Sequence, residues 1–344
     1  MTRDAVPRPQ LPRRDHVVHR CPVATPSAAD DDEHHGMNES THRPRLLRAT
    51  AQDPTNARLL QRRHASGAMV RLLAGVYIGT EEWDALSSVG QHLTRARAIA
   101  SRLRRGSVFS HVTAALIHGW PLVGDAPDRV YVIDPAVPVI QHRAGLVRHP
   151  SGPTPRTATT AFDGVPVTAP LDTATALITT GSPHVAAVAV DAGIRQGVLA
   201  LDDLRGVVPV RPARGSVHAE MVLSALDARH ESVGESFAAI RFVQVGLPSC
   251  EPQVEFRHLD GTVDRVDFWF PSLGVVVEFD GRQKYVDPSM LQGRDPADVL
   301  WAEKRREDRL RALPSVRAVI RVTWWHLIEP DRLVALFRSH GVLI

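Results

Sequence analysis

Lysine is nearly absent from this chain. Only Lys284 and Lys304 occur among 41 lysines and arginines in 344 residues. Cysteine is as scarce, with Cys21 and Cys250 alone. Cys21 falls in a proline-scattered stretch without apolar periodicity, so no disulfide is expected and a reducing cytoplasm fits best. No apolar run approaches the length of about 18 residues that a membrane-spanning helix needs, and the N-terminus lacks the apolar core of a secretory leader. Neither a membrane segment nor a leader is therefore expected. The arginine excess matches a compositional bias, so abundant arginine is not in itself a nucleic-acid signal. It makes the two lysines informative instead. Arginine is a planar, permanently charged fork, whereas lysine is a compact amine with a tunable pKa. Both lysines stand between positions 284 and 304.

The rest of the composition is that of a globular protein. The chain is 43% apolar and carries a net charge of +3, and its length predicts two to three domains. Residues 1–36 read as a disordered tail with an acidic run from Asp30 to Glu33. Residues 37–79 read as the next unit, with helix, helix and hairpin between 43 and 79. The helix in "NARLLQRRHASG" carries Leu59 and Leu60 on one face and ends at Gly67, and "AMVRLLAGVYIG" reads as the hairpin. Seven arginines stand against Glu39 and Asp53 between residues 37 and 77. A basic helix followed by a β-wing is the sequence shape of a winged helix-turn-helix, with duplex DNA as its partner. Arg58, Arg62, Arg63 and Arg71 are its candidate contacts, and Lys304 and Arg305 are further candidates in the C-terminal part. The alternative is a small helical cap with a solvated basic face.

Residues 80–210 read as a mixed α/β module. His111 and His118 lie two turns apart on one predicted helix, but no third ligand accompanies them, so a structural role is expected. Asp191, in an alanine- and valine-rich helix, reads as a hydrogen-bonded structural group. Proline and glycine in "VVPVRPARGS" mark a linker at 207–216. From 217 to 344 the pattern runs helix, helix, three strands joined by short turns, helix, strand and helix, an α/β arrangement.

Chemistry concentrates in "RVDFWFPSLGVVVEFDG". Proline and glycine in "PSLG" fit a tight turn. A hairpin closed there pairs Phe270 with Val275 and Asp267 with Glu278. Opposed residues share a face with Cβ atoms about 5 Å apart, and Asp280 follows Glu278 by two, so three carboxylates are expected on one patch. At an effective dielectric near 20, two carboxylates at that separation repel by roughly 3 kcal/mol. A divalent cation, a salt-bridged lysine or arginine, or a shared proton could offset this. "EKRREDR" reads by default as a solvated helix face with Glu307 paired to Arg311. Trp324 and Trp325 read as packing residues at a strand end rather than as base-stacking platforms.

The segments "GES" (234–236), "VDFWFP" (266–271), "VVVEFDGRQKY" (275–285), "EKRREDRLRAL" (303–313) and "VIRVTWW" (319–325) resemble the nuclease domain of very-short-patch repair endonucleases, within the PD-(D/E)XK superfamily. Upstream, "RLLAGVYIG", "SHVTAALIHGWPL" and "VPVTAPLDTATAL" resemble the AbiEi-type antitoxins of type IV toxin–antitoxin systems, which are winged-helix proteins. The two resemblances imply an α/β multidomain chain: an N-terminal winged helix-turn-helix, a central mixed α/β module and a C-terminal PD-(D/E)XK-like αβββαβ domain. They also imply roles. Asp267 and Glu278 match the metal-binding acids, and Glu235 matches the helix carboxylate that assists them. The cofactor would be magnesium or manganese. The superfamily lysine is expected two residues after Glu278, but Asp280 stands there. Asp280 would join the metal ligands, and Lys284 would have to return its amine to the patch to activate water. Two functions stay open. One is metal-dependent hydrolysis of DNA. The other is an antitoxin-like repressor with an idle nuclease fold and a cognate toxin as candidate partner.

Overall fold

The computed structural model describes residues 43–143, 145–152, 158–208, 216–281 and 296–342. The expected tail at 1–36 and Lys284 lie outside the described residues. The fold is mixed α/β, with three sheets, and no helix among the described residues is long and apolar enough to cross a membrane.

The first unit contains β1 (Leu47–Arg48), α1 (Pro54–Ala65), β2 (Met69–Leu73) and β3 (Val76–Gly79), with sheet order β1-β3-β2. Asp53 caps α1 by accepting from the Asn56 N–H at 2.9 Å, Pro54 opens the helix, and Gly67 follows it at φ 79°. The first helix expected before α1 is absent from the described residues. The chain instead forms β1, which pairs antiparallel with Tyr77 and Val76. Pro44 and Pro54 leave too short an interval for a stable helix, and the open edge of β3 supplies the backbone partners. Leu60 is buried beside Met69 and Tyr77, whereas Leu59 faces outward, so the two leucines do not share the buried face.

The middle unit runs α2 (Thr80–Asp84), α3 (Ser88–Ala100), β4 (Val108–Phe109), α4 (His111–Ile117), β5 (Val130–Ile133), β6 (Gln141–Arg143), β7 (Leu146–His149), β8 (Ala158–Phe162), β9 (Val165–Thr168), α5 (Pro170–Thr180), α6 (Pro183–Arg195) and α7 (Leu201–Val207). Its six strands stand in the order β6-β7-β5-β4-β9-β8. His111 and His118 do not converge. The His118 ring lies 2.8 Å from the Thr168 carbonyl, and His111 stacks on His149 at 3.8 Å.

The C-terminal unit comprises α8 (Ser216–Ala225), α9 (Val233–Gln244), β10 (Glu251–Arg257), β11 (Val263–Phe270), β12 (Val275–Phe279), α10 (Pro296–Arg311), β13 (Ala318–Val322), α11 (Trp324–Ile328) and α12 (Pro330–Ser339). Its sheet order is β10-β11-β12-β13. The first two pairings are antiparallel. The last is parallel, bridged by α10. Helix α9 covers one face, where Phe242 meets Phe268 and Phe270 edge-on. Helix α10 covers the other, where Leu310 meets Val266 and Val276.

No break in the core separates the middle and C-terminal units. One apolar cluster extends from α5 and α6 through α8 and α9 to β11, β12 and β13. Within it the buried Asp191 accepts from the Asp227 N–H at 3.0 Å and pairs with His230 Nδ1 at 2.7 Å, the structural role expected of it. Helix α9, which borders the carboxylate patch, is thereby held from both sides.

Candidate functional site: a carboxylate patch at the end of the C-terminal sheet

The expected hairpin register is present next to the turn, but the expected Asp267–Glu278 pair is not part of the ladder. Phe268 pairs with Val277, Trp269 with Val276 and Phe270 with Val275. The ladder stops before Asp267 and Glu278, for a local reason. Val266 packs with the α10 cluster, while Phe268 packs against Phe242 under α9. Residues two apart in a regular strand share a face, so β11 rotates at Asp267. Across the strand pair, Pro252 meets Phe268 and Val254 meets Val266, which leaves Gln253 opposite Asp267. Gln253 has φ 57°, a left-handed conformation costing a non-glycine residue about 1–2 kcal/mol. Its side chain donates to Glu235 Oε2 at 2.8 Å, which holds the turned backbone in place. The turn aims Asp267 along the sheet: Oδ2 accepts the Phe279 N–H at 2.8 Å, taking the place of the missing ladder bond.

Glu278 and Asp280 lie beyond Val276 on the α10 side. Arg306 stands one helical turn before Leu310. Four helical residues rise about 6 Å and two strand residues about 6.7 Å. A helix that lays Leu310 on Val276 therefore lays Arg306 on Glu278. Arg306 Nη1 donates to Glu278 Oε2 at 2.9 Å, and Nη2 stands 2.7 Å from Oε1. Nη2 also donates to the Arg265 carbonyl. Burial lowers the Arg306 pKa, but Glu278, Asp264 and Asp267 outweigh it and hold the group above its ordinary value. One turn further back on α10 stands Ala302, an exposed residue without charge.

Glu278 Oε1 and Asp280 Oδ1 are buried and accept no hydrogen bond from any described residue. The 2.7 Å approach of Arg306 to Oε1 is an ion-pair contact without the alignment of a hydrogen bond. A buried carboxylate oxygen without a donor costs roughly 1–3 kcal/mol or more, and a cation or a proton relieves that cost.

Glu235 is differently occupied. The Ser232 hydroxyl caps α9 by accepting the Glu235 N–H at 3.0 Å. The Glu235 carboxylate accepts from Ser232 Oγ at 2.8 Å, from the Glu231 N–H at 3.0 Å and from Gln253. It is thus a helix-capping group that also ties α9 to β10, and it reaches the patch through Gln253. The sequence had no signal for Arg306 or Gln253 as part of this site. "EKRREDR" does contain the expected Glu307–Arg311 pair, at 2.6 Å. Arg306, just before that pair, faces inward.

Gly234 explains the "GES" segment. A Cβ there would lie 2.0 Å from the Phe279 ring, and that ring packs edge-on against Trp324 at 5.3 Å. Gly234→Ala is expected to lower stability by about 1–3 kcal/mol through overpacking, read as the midpoint of a urea melt. An unchanged midpoint would mean that the ring moves aside without cost. Trp324 is thus a packing residue, as expected. It opens α11 rather than ending a strand, and the exposed Trp325 carries Arg332 over its ring at 4.4 Å.

Among the described residues no three His, Cys, Asp or Glu side chains converge as a metal cage. Magnesium is commonly held by one or two carboxylates, with water and phosphate completing the shell. The buried Asp280 Oδ1, which has no donor, and the neighbouring Glu278 fit that demand. The other predicted contacts are exposed. Arg58, Arg62 and Arg63 on α1 and Arg71 on β2 face outward. Lys304 and Arg305 are exposed on α10, with the Lys304 amine 5.4 Å from the Trp301 ring centre.

No family model matches the chain, and no solved structure matches it. The chain is similar to two proteins of Mycobacterium tuberculosis, the uncharacterized protein MT2308 of strain CDC 1551 / Oshkosh and the uncharacterized protein Rv2248 of strain H37Rv. Each is 28% identical over 286 residues, which span 80% of this chain and 93% of the relative.

Proposed function

We propose that this chain is a DNA-binding protein whose C-terminal unit, built on the PD-(D/E)XK plan, hydrolyses phosphodiester bonds with magnesium or manganese. The buried Asp280 oxygen without a donor, beside Glu278 at the end of β12, carries this reading. Asp267, Glu278 and Asp280 would hold the ion, and Glu235 acts through Gln253 to keep Asp267 aimed. Bound there, the metal would lower the pKa of a water molecule and stabilise charge developing on the phosphate. Lys284, which lies outside the described residues, is assigned the orientation or deprotonation of the attacking water. Residues 43–79 are read as a winged-helix head in which α1 and the β2–β3 wing meet the duplex.

Two observations favour a second reading, an antitoxin-like repressor whose nuclease fold is idle. Arg306 already neutralises Glu278, and Asp280 stands where the superfamily has lysine. In that case the C-terminal unit grips DNA or a cognate toxin. Nicking of supercoiled plasmid with magnesium or manganese, wild type beside Asp267→Asn, separates the two. Metal-dependent nicking lost in the variant supports hydrolysis. Salt-sensitive duplex binding with no nicking under either metal supports the repressor.

A further inference from the structure

Arg306 ion-pairs with Glu278 and so occupies oxygens that a metal at the patch would need. Arg321, the β13 neighbour of Glu278, is turned instead to Glu303 and Glu307. We infer that Arg306 is a built-in competitor of the divalent ion: guanidinium and metal are alternative partners of Glu278, and Arg306 sets the affinity of the site. The inference rests on the metal reading above and concerns a residue which that reading leaves without a role.

Three features make Arg306 exchangeable rather than a fixed structural tie. Its hold on Glu278 is uneven. Nη1 makes an aligned hydrogen bond to Oε2, whereas Oε1 receives only a close charge contact. An aligned fork would bond both oxygens; here the second contact, at 2.7 Å, is a charge contact without that alignment. Arg306 also has a second place to go. Its Nε lies 4.0 Å from Asp264 Oδ1, so a short swing transfers its charge from Glu278 to Asp264 while Nη2 keeps the Arg265 carbonyl within reach. Asp264 in turn does not depend on Arg306. It is already held by Arg309 at 2.6 Å and 3.0 Å and by His258 at 2.8 Å. Finally, the two states balance charge differently. With Arg306 in place, the guanidinium pairs with Glu278 and leaves Asp280 Oδ1 without a donor. A divalent ion taking Glu278 would bring a second charge and would be open to Asp280 as well.

The test is manganese binding by isothermal titration calorimetry, with thermal melting in EDTA and in magnesium, on the full chain. Arg306→Met keeps the stem and removes the charge. It is expected to bind manganese at least about tenfold more tightly than wild type, because the ion no longer displaces a partner worth about 1.4 kcal/mol. It is also expected to melt lower in EDTA, since Glu278 then lacks the guanidinium, and to regain more stability from magnesium than wild type does. Arg306→Lys, which keeps the charge without the fork, should fall between the two, and it serves as the test if the methionine variant does not fold. Equal manganese affinity in wild type and both variants would overturn the competition and leave the metal site standing. No manganese binding by wild type or either variant would overturn both.

Discussion

Plasmid nicking by Asp267→Asn is expected to fall at least about 10²-fold below wild type, the loss typical of removing one charged or dipolar stabiliser from a phosphoryl or acyl transfer site. The fold should survive, for a reason visible in the geometry. Asp267 Oδ2 accepts the Phe279 N–H, and an asparagine carbonyl oxygen can accept the same bond. What disappears is the charge. The variant therefore separates the structural use of this side chain, closing the end of the β11–β12 ladder, from its proposed use as a metal ligand. Circular dichroism and melting should be near wild type, while the magnesium-induced rise in melting temperature should be reduced. Nicking at the wild-type rate would remove Asp267 from the metal ligands and with it the hydrolytic reading. Asp267→Ala is the less informative change, since it removes the acceptor as well and mixes the two effects.

The second large effect is expected at the other end of the chain. Replacing Arg58, Arg62 and Arg63 with alanine should weaken duplex DNA binding about tenfold or more at low salt, across sequences rather than at one site. The plot of log affinity against log salt should become shallower by about 2 to 3, since each phosphate that is no longer neutralised takes roughly 0.9 off the slope. All three side chains are exposed, and none forms an ion pair with a described residue. Stability should therefore stay within about 0.5 kcal/mol of wild type, so a loss of binding cannot be assigned to unfolding. An unchanged slope would remove α1 as the DNA-reading element and direct attention to Lys304 and Arg305 on α10.

The two ends of the chain differ in how far their structure could be read in advance. In the C-terminal unit the long elements follow the expected order of two helices, three strands, helix, strand and helix, with the short α11 added. Helix α10 and strands β10 to β12 have strong periodicity or β-branched composition, and Pro271 and Gly274 mark the turn between β11 and β12. Gly274 takes φ 64°, which a β-carbon would oppose. Elements of two to four residues, such as β1, β4 and β6, escape such reading because two residues cannot display a period. They exist because a neighbouring strand has unpaired backbone groups to satisfy, a requirement that belongs to the assembled sheet.

The same division runs through the site. The residue order by itself determined the Phe270–Val275 hairpin register and so that Asp267, Glu278 and Asp280 stand near the same end of it, because register follows from turn length and side chains alternate with period two. It also determined that this charge demands an answer. Which answer, and where, was decided only in three dimensions. Nothing in "EKRREDR" singles out Arg306 from its neighbours until Leu310 docks on Val276 and sets the phase of α10 over β12. Nothing around Gln253 announces its left-handed backbone until β11 rotates at Asp267, and nothing marks Glu235 as a cap bonded to β10 until α9 is packed from both sides. Local pattern fixes which groups share a strand; the docking of a helix on a sheet, through apolar contacts far from the charges, fixes which cation reaches which carboxylate and which carboxylate is left without one.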